Sequence, residues 1–450
     1  MKAQSQTVSA ARRAAFEILR RVETEGAFAS NLLASLDQHM RQDDRALVHE
    51  LVLGVLRRQL WLDRVIEHFA ARTTESLDLA VKLALRLGLY QIRFLSRTPD
   101  SAAVNESVNL VHAARLRSAT SLVNAVLRRA ARELTYDPAA GVHDAIERIA
   151  VETSHPAWLI RRWIDFLGEA EAERFARSNN DPAPVAFRMT PRAVEPGFVL
   201  EELRAAGADL QPSQLVSAGW RVRGASAVVQ KLSRDGLIYL QDEASQLVAN
   251  IVAPQAGERV LDVCAAPGSK ALHLSAMQPR SVVIAGDLHA HRLSTLRRLA
   301  AQQGDSIPVV VHDATRDLPF APESFDAVLV DAPCSGTGTL RHNPEIRWRI
   351  TARDIGDLAT RQQLILTNSA RMVRDGGRLV YSTCSVEPEE NEDIINAFRE
   401  ANNDFRLVEP RWEQPDGILP ASLSSAGTVR TWPHKQDVDG FFIAALVRAQ

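Results

Sequence analysis

From Glu258 onward the chain alternates short apolar runs, "RVLDVC", "VVIAGD", "IPVVVHD", "AVLVDA", "RLVYSTC" and "FFIAALV", with amphipathic helical stretches. Runs this short and this continuously apolar suit strands buried on both faces. Strands alternating with helices build a doubly wound α/β sheet of the Rossmann-like kind. Such sheets bind ligands at the carboxyl ends of their strands. The chemistry-bearing residues of this half of the chain fall at those ends.

The first third has a different rhythm. Phe16, Leu19 and Val22, then Leu47, Leu51 and Val55, then Leu83, Leu87 and Tyr90 recur at helical spacing, and strand-like alternation is nearly absent. This predicts an all-α domain over residues 8–140. The Pro-, Gly- and polar-rich "LTYDPAAGVHDAIERIAVETSHP" reads as a linker with one short helix. Residues 155–245 read as a small α+β domain: two helices ended by a Pro pair, a strand at "VAFRMTP", the helix "VLEELRAAG", and strand-like segments "AVVQ" and "GLIYLQ". Residues 246–450 form the α/β domain. A multidomain chain is what 450 residues require, since single cores stop growing at roughly 250 to 300 residues.

Composition narrows the function classes. With 46% hydrophobic and 24% charged residues the chain is of ordinary globular type, and no apolar stretch reaches the ~18 residues of a membrane helix. The N-terminal "MKAQSQTVSAARRAAFEILRR" has charges throughout and no secretory h-region, so a cytoplasmic protein without membrane contact is expected. Three cysteines without CxxC spacing predict reduced thiols and no metal. The first 150 residues hold 21 Lys and Arg against 17 Asp and Glu, a mild excess. Arg115, Arg117, Arg128, Arg129 and Arg132 form one local basic cluster there, a candidate RNA contact that a solvated helix face explains about as well.

A nucleotide-like cofactor fits the first strand and turn of the α/β domain. "CAAPGSK", residues Cys264, Ala265, Ala266, Pro267, Gly268, Ser269 and Lys270, leads into a helix, and its small residues let backbone N–H groups approach a ligand. Neither GxGxxG nor GxxxxGKS occurs, which weighs against dinucleotides and triphosphates. Asp287 ends the second strand nineteen residues after Gly268, near the offset at which a carboxylate reaches ribose hydroxyls. Asp313 ends the third, placed to meet an adenine amino group. Either could instead cap the following helix.

Cys334 in "DAPCSGTG" and Cys384 in "VYSTCS" stand fifty residues apart, each just past an apolar strand-like run. Both thiols can therefore share one pocket, and together with an adenosyl cofactor they suggest methyl transfer to carbon five of a pyrimidine. That carbon attacks a methyl sulfonium only after a nucleophile adds at carbon six, and a thiolate does this well. The adduct must then lose its C5 proton and expel the thiolate, so a second group able to act as base or assist release is useful. Asp331, at the end of the fourth strand, could bond the N3/N4 edge of the base. The competing reading takes both cysteines as small buried hydrophobes. Cys264 lies within the first strand-turn and is expected to contribute backbone only.

The segments "DVCAAPGSK", "VDAPCSGTGTLRHNPEIRW", "GGRLVYSTCSVEPEENE" and "DGFFIAAL" resemble the Sun family of RNA cytosine-5 methyltransferases, and the likeness spans residues 155–450. The stretch "AVNESVNLVHAARLRSATSLVNAVLRRAARE" resembles a NusB-type helical RNA-binding domain, a combination similar to bacterial enzymes acting on 16S rRNA. The resemblance implies a class I methyltransferase using S-adenosyl-L-methionine, with Cys384 of the Thr-Cys pair as nucleophile, Cys334 assisting release and Asp331 recognising cytosine. It also implies that Cys264 to Lys270, Asp287, Asp313 and Asp331 line the cofactor site. "RHNPEIRW" would be a loop over the target, its cations on phosphate and Trp348 stacking or packing. Two positions depart from the pattern: Gly268-Ser269-Lys270-Ala271 stands for Gly-Gly-Lys-Thr, and Arg188-Met189-Thr190 stands for Arg-x-Asn, whose Asn braces backbone. The expected partner is 16S rRNA, bound by a monomer. A tRNA cytosine methyltransferase and a non-catalytic RNA-binding assembly factor are the alternatives.

Overall fold

The computed structural model describes residues 8–36, 40–409, 423–425 and 427–450. The first seven residues, part of the stretch read for a secretory signal, lie outside them. The chain forms two compact units, one of residues 1–181 with 340–349, the other of 182–339 with 350–450.

The first unit is helical. Helices Ala10–Glu25, Gln42–Arg57, Gln59–Ala70, Leu79–Phe94, Asp100–Ala113 and Thr120–Arg132 bury one core that includes Leu19, Leu51, Val55, Leu62, Leu87 and Val126. Leu79–Phe94 is buried on nearly every side from Leu83 to Ile92, as a helix apolar all round must be. Its one buried cation, Arg86, bonds Asp63 at 2.7 Å and Glu23 at 2.8 Å. The five arginines of the basic cluster are all exposed. Three more helices follow, Ala145–Thr153, Ala157–Leu167 and Glu169–Ser178.

Residues 340–349 complete this unit from the far side of the sequence. The Arg347 guanidinium is fully buried, and its donors meet Ser154 O at 3.1 Å, Asn180 Oδ1 at 2.9 Å, Asn179 O at 3.3 Å and Thr153 O at 3.4 Å. Those carbonyls include the C-terminal end of helix Ala145–Thr153, where a cation is favoured. Arg349 donates to Val22 O, Gly26 O and Ala27 O, and Glu345 accepts from Ala29 N at 2.7 Å. The expectation that the cations of "RHNPEIRW" meet phosphate is thus corrected at Arg347, and Arg341, also buried, donates to Asp181 O at 3.4 Å. The hydrogen bonds of Arg347 go to three backbone carbonyls and the Asn180 side chain, and those of Arg349 to backbone carbonyls.

The second unit begins with a four-stranded antiparallel sheet: β1 (Val185–Met189), β2 (Asp209–Pro212), β3 (Gly219–Arg223) and β4 (Ile238–Leu240), in the order β2-β3-β1-β4. "AVVQ", expected as a strand, lies inside helix Ser226–Arg234, where Val229 and Leu232 face the core at helical spacing. A four-residue apolar run carries too little period to tell the two apart. Thr190 takes the bracing role expected of Asn: its N–H bonds Leu237 O at 3.1 Å, and its hydroxyl donates to Gly236 O.

The larger sheet contains β5 (Arg259–Asp262), β6 (Val282–Asp287), β7 (Val309–Val311), β8 (Phe325–Asp331), β9 (Val373–Thr383), β10 (Phe405–Leu407), β11 (Ser424–Ser425), β12 (Thr428–Arg430) and β13 (Phe442–Arg448). The order is β11-β12-β13-β9-β8-β5-β6-β7, with β10 paired to β13. Strands β5 to β9 run parallel as expected, but the expectation of a parallel strand is corrected at β13, the "FFIAALV" run, which pairs antiparallel with β9. Side chains alternate between two cores: Val260, Val283, Leu329 and Val380 on one face, Leu261, Val328, Leu379 and Tyr381 on the other. The chain winds outward in both directions from β5 and β8, so their carboxyl ends flank the switch point where ligands bind. No helix among the described residues is long and apolar enough to cross a membrane.

Candidate active site

Asp262, Asp287, Asp331 and Thr383 are the last residues of β5, β6, β8 and β9. Parallel register therefore brings the acids and the Cys384 loop to one edge of the sheet. The turn after β5 is pinned by backbone: Ala265 N bonds Gly286 O at 2.8 Å, and Ala266 N bonds Asp287 Oδ2 at 3.2 Å. Gly268 has φ +119, and a Cβ there would stand 2.8 Å from Leu296 Cγ, so only glycine fits. Pro267 is exposed, Ser269 opens helix Ser269–Met277, and Cys264 is a half-buried thiol that burial holds well above its ordinary pKa. A protonated thiol is a poor nucleophile, in keeping with a backbone role for Cys264.

Lys270 sits in the middle of the site. It is buried, its Nζ lies 2.7 Å from Asp331 Oδ2, and it stacks over the Phe441 ring at 5.2 Å. Burial alone would lower its pKa, but the Asp331 carboxylate outweighs that and holds it above the ordinary lysine value. The other Asp331 oxygen accepts from Ser382 Oγ at 2.8 Å. Asp331 is thus oriented by a cation and a hydroxyl, neither of which the spacing argument had singled out for that task.

Asp287 is buried, with Oδ1 accepting from His289 N at 2.9 Å. Asp313 lies past β7 on the neighbouring strand, and its Oδ1 accepts from Thr315 N and Oγ1, which hold its pKa below the usual carboxylate range. Asp262, which the sequence places in the first strand without a role, is fully buried, and neither carboxylate oxygen makes a full hydrogen bond. Its pKa is pushed up to about 8, by burial first and by Asp331 next. Its position at a strand end was legible, but the lack of a donor is a property of three dimensions.

The two thiols meet. Cys334 Sγ and Cys384 Sγ are 3.4 Å apart, both half-buried. The hydrogen bond to Cys384, with burial second, holds the Cys334 thiol well above its ordinary pKa. Lys270 lies close enough to Cys384 for the two side chains to interact electrostatically.

These residues fit S-adenosylmethionine. The group carries an ammonium, a ribose diol and an adenine amino group, all donors, and the strand ends offer acidic acceptors, of which Asp262 makes no full hydrogen bond among the described residues. A parallel switch point, a close-approach turn and strand-end acids together define a class I methyltransferase domain.

Residues 249–447 match the family described as 16S rRNA methyltransferase RsmB/F, residues 9–132 match the NusB family, and 155–229 match the ferredoxin-like domain of RsmF/B-type methyltransferases. The chain belongs to the 16S rRNA methyltransferase RsmB/F family, S-adenosylmethionine-dependent rRNA methyltransferases. It is 35% identical to a probable ribosomal RNA small subunit methyltransferase B of Synechocystis, over 98% of this chain and 99% of that one. The Bacillus subtilis protein of the same description is 33% identical over 96% and 97%. Among solved structures, PH0851 superposes with a TM-score of 0.81 at 27% identity, covering 97% of this chain and 98% of that one.

Proposed function

We propose that the protein methylates carbon five of a cytosine in 16S rRNA through a transient covalent bond from Cys384 to carbon six of the base. The observation that carries this reading is the 3.4 Å pairing of Cys334 and Cys384 beside the Lys270–Asp331 ion pair. A pair of structural thiols has no need of a buried cation and a strand-end carboxylate at the same place.

S-adenosylmethionine, when bound, supplies an electrophilic methyl group on its sulfonium sulfur. Cys264 to Lys270, with Asp262, Asp287 and Asp313, would hold it, the acidic groups being available to its ammonium, ribose and adenine donors. The Lys270 charge attracts an anionic Cys384 sulfur, which adds to carbon six and breaks the 5,6 double bond, leaving electron density on carbon five. Asp331, fixed by Lys270 and Ser382, accepts from the N4 amino group and orients the ring. Once carbon five carries its methyl group, the C5–H pair reforms the double bond and the C6–S pair leaves with Cys384. Cys334 passes its proton to the departing sulfur and takes up the C5 proton, so it ends as it began. The exposed arginines at 115, 117, 128, 129 and 132 are available to RNA phosphates.

The test is bisulfite mapping of rRNA and tRNA from cells lacking the protein, rescued with the parent or with Cys384→Ala. Loss of one protected 16S cytosine, restored only by the parent, is expected. Loss in tRNA would move the target, and no loss in either would remove the catalytic reading.

A further inference from the structure

The residues that follow the two cysteines are tied to one buried carboxylate. Glu390 is fully buried and has no cation among its hydrogen-bond partners. Its Oε1 accepts from Ser335 N at 2.8 Å and Gln362 Nε2 at 2.9 Å, while Oε2 accepts from the Ser335 and Ser385 hydroxyls. Ser335 follows Cys334, and Ser385 follows Cys384. Burying a carboxylate without a counter-ion is costly, and four donors converging on it offset that cost only while both loops stay in place.

The next residue grips the nucleophile's loop from both sides. Asn391 Oδ1 accepts from Thr383 Oγ1 at 2.6 Å, and its Nδ2 donates to Ser385 O at 2.9 Å, so its amide straddles Cys384. Tyr381 OH donates to Glu390 O at 2.6 Å, which moors the pair to β9. Gln362 also donates to Pro333 O at 2.9 Å, the residue before Cys334. The side chains of Ser335, Gln362, Tyr381, Thr383, Ser385, Glu390 and Asn391 in this network are all buried.

We propose that Glu390 and Asn391 are positioning residues that set the separation of the two reactive sulfurs, an inference that rests on the reading of Cys334 and Cys384 given above. A polar clamp of this kind is unnecessary for folding two strand ends, which backbone pairing already joins: Ala332 N bonds Ser382 O at 2.8 Å. Its effect falls on the loops beyond the strands. There, two thiols in a reaction need relative placement to a fraction of an ångström.

The experiment uses the full chain as parent, Glu390→Ala, Glu390→Gln and Asn391→Ala, each checked for folding by thermal melt. Two readouts follow: the rate at which diamide, taking up two electrons and two protons, joins Cys334 to Cys384, scored by mass spectrometry; and steady-state methyl transfer. Glu390→Ala and Asn391→Ala are expected to slow disulfide formation about tenfold and lower kcat at least as much, with KM for S-adenosylmethionine unchanged. Glu390→Gln keeps one acceptor oxygen and is expected to fall between. Folded variants that match the parent within about twofold in both readouts overturn the proposal. If the Ala variants do not fold, the Gln variant decides in the same way. Slowed disulfide formation in a protein whose parent methylates no cytosine supports the clamp and removes the catalytic reading alone.

Discussion

Asp262 and the two thiols carry the sharpest consequences at the scale of single residues. The folded-state pKa of Asp262, about 8, lies above the ~3.9 of an unfolded aspartate. Between those values the folded protein holds a proton that the unfolded chain has lost, so stability falls as pH rises through that window. Asp262→Asn is therefore expected to raise the melting temperature of the cofactor-free protein more at pH 8 than at pH 4.5, and calorimetry should show weaker S-adenosylmethionine binding. An equal gain at both pH values would mean the acid is not the cause. For the thiols, Cys384→Ala is expected to lower methyl transfer by about 10³-fold or more. Cys334→Ala should still attack, and should accumulate a protein–RNA adduct visible on a denaturing gel. An adduct formed by Cys384→Ala instead would reverse the roles. Much of this site was legible, because Cys334, Cys384, Asp287 and Asp331 fall at the ends of apolar runs whose period is plain. Asp262, Lys270 as a charge partner and Glu390 as a clamp were not, since each is defined by what it meets across strands.

Elements tell where the reading of the sequence thins out. The buried parallel strands announced themselves as continuous apolar runs, and the helices of the first unit by their period. β2 and β3, with "DLQP" and "GWRVR", are short, polar and partly exposed, so nothing in their pattern separates them from loop. The close approach of two loops is equally silent in sequence. Gly338 N bonds Cys384 O at 2.9 Å, and Gly440 N bonds Gly338 O at 2.8 Å. A Cβ on Gly338 would stand 1.9 Å from Gly440 O and 2.8 Å from Cys384 O. Gly338→Ala is expected to cost about 1–3 kcal/mol in a urea melt and to lower kcat through the displaced Cys384 loop. Arg188 makes a comparable link within the second unit. Fully buried, it donates to Gln241 Oε1 at 3.0 Å and Gln303 Oε1 at 3.4 Å, lies over Tyr239, and reaches Ser269 O at 3.5 Å at the cofactor turn. Burial lowers its pKa to about 10, which keeps it charged across the physiological range. Arg188→Met is expected to weaken S-adenosylmethionine binding while leaving RNA binding intact, as filter binding would show.

At the scale of the whole molecule, the division at residues 340–349 matters most. Sequence order assigns this segment to the catalytic half, yet its side chains finish the helical unit. Arg347→Met would leave the carbonyls of Ser154 and Asn179 without their donor, at a cost of about 2–4 kcal/mol. Hydrogen exchange is expected to quicken in helix Ala145–Thr153 and not in β5 to β9; equal quickening in both would count against a local role. The order of synthesis adds a consequence. The first 181 residues leave the ribosome well before Leu340–Arg349 exists, and domains made first ordinarily fold first. Here the helical unit must wait with the acceptors for Arg347 and Arg349 unfilled until roughly three quarters of the chain has been made. Its completion therefore falls after strands β1 to β8 have been made, so the helical half is not finished before the other has begun.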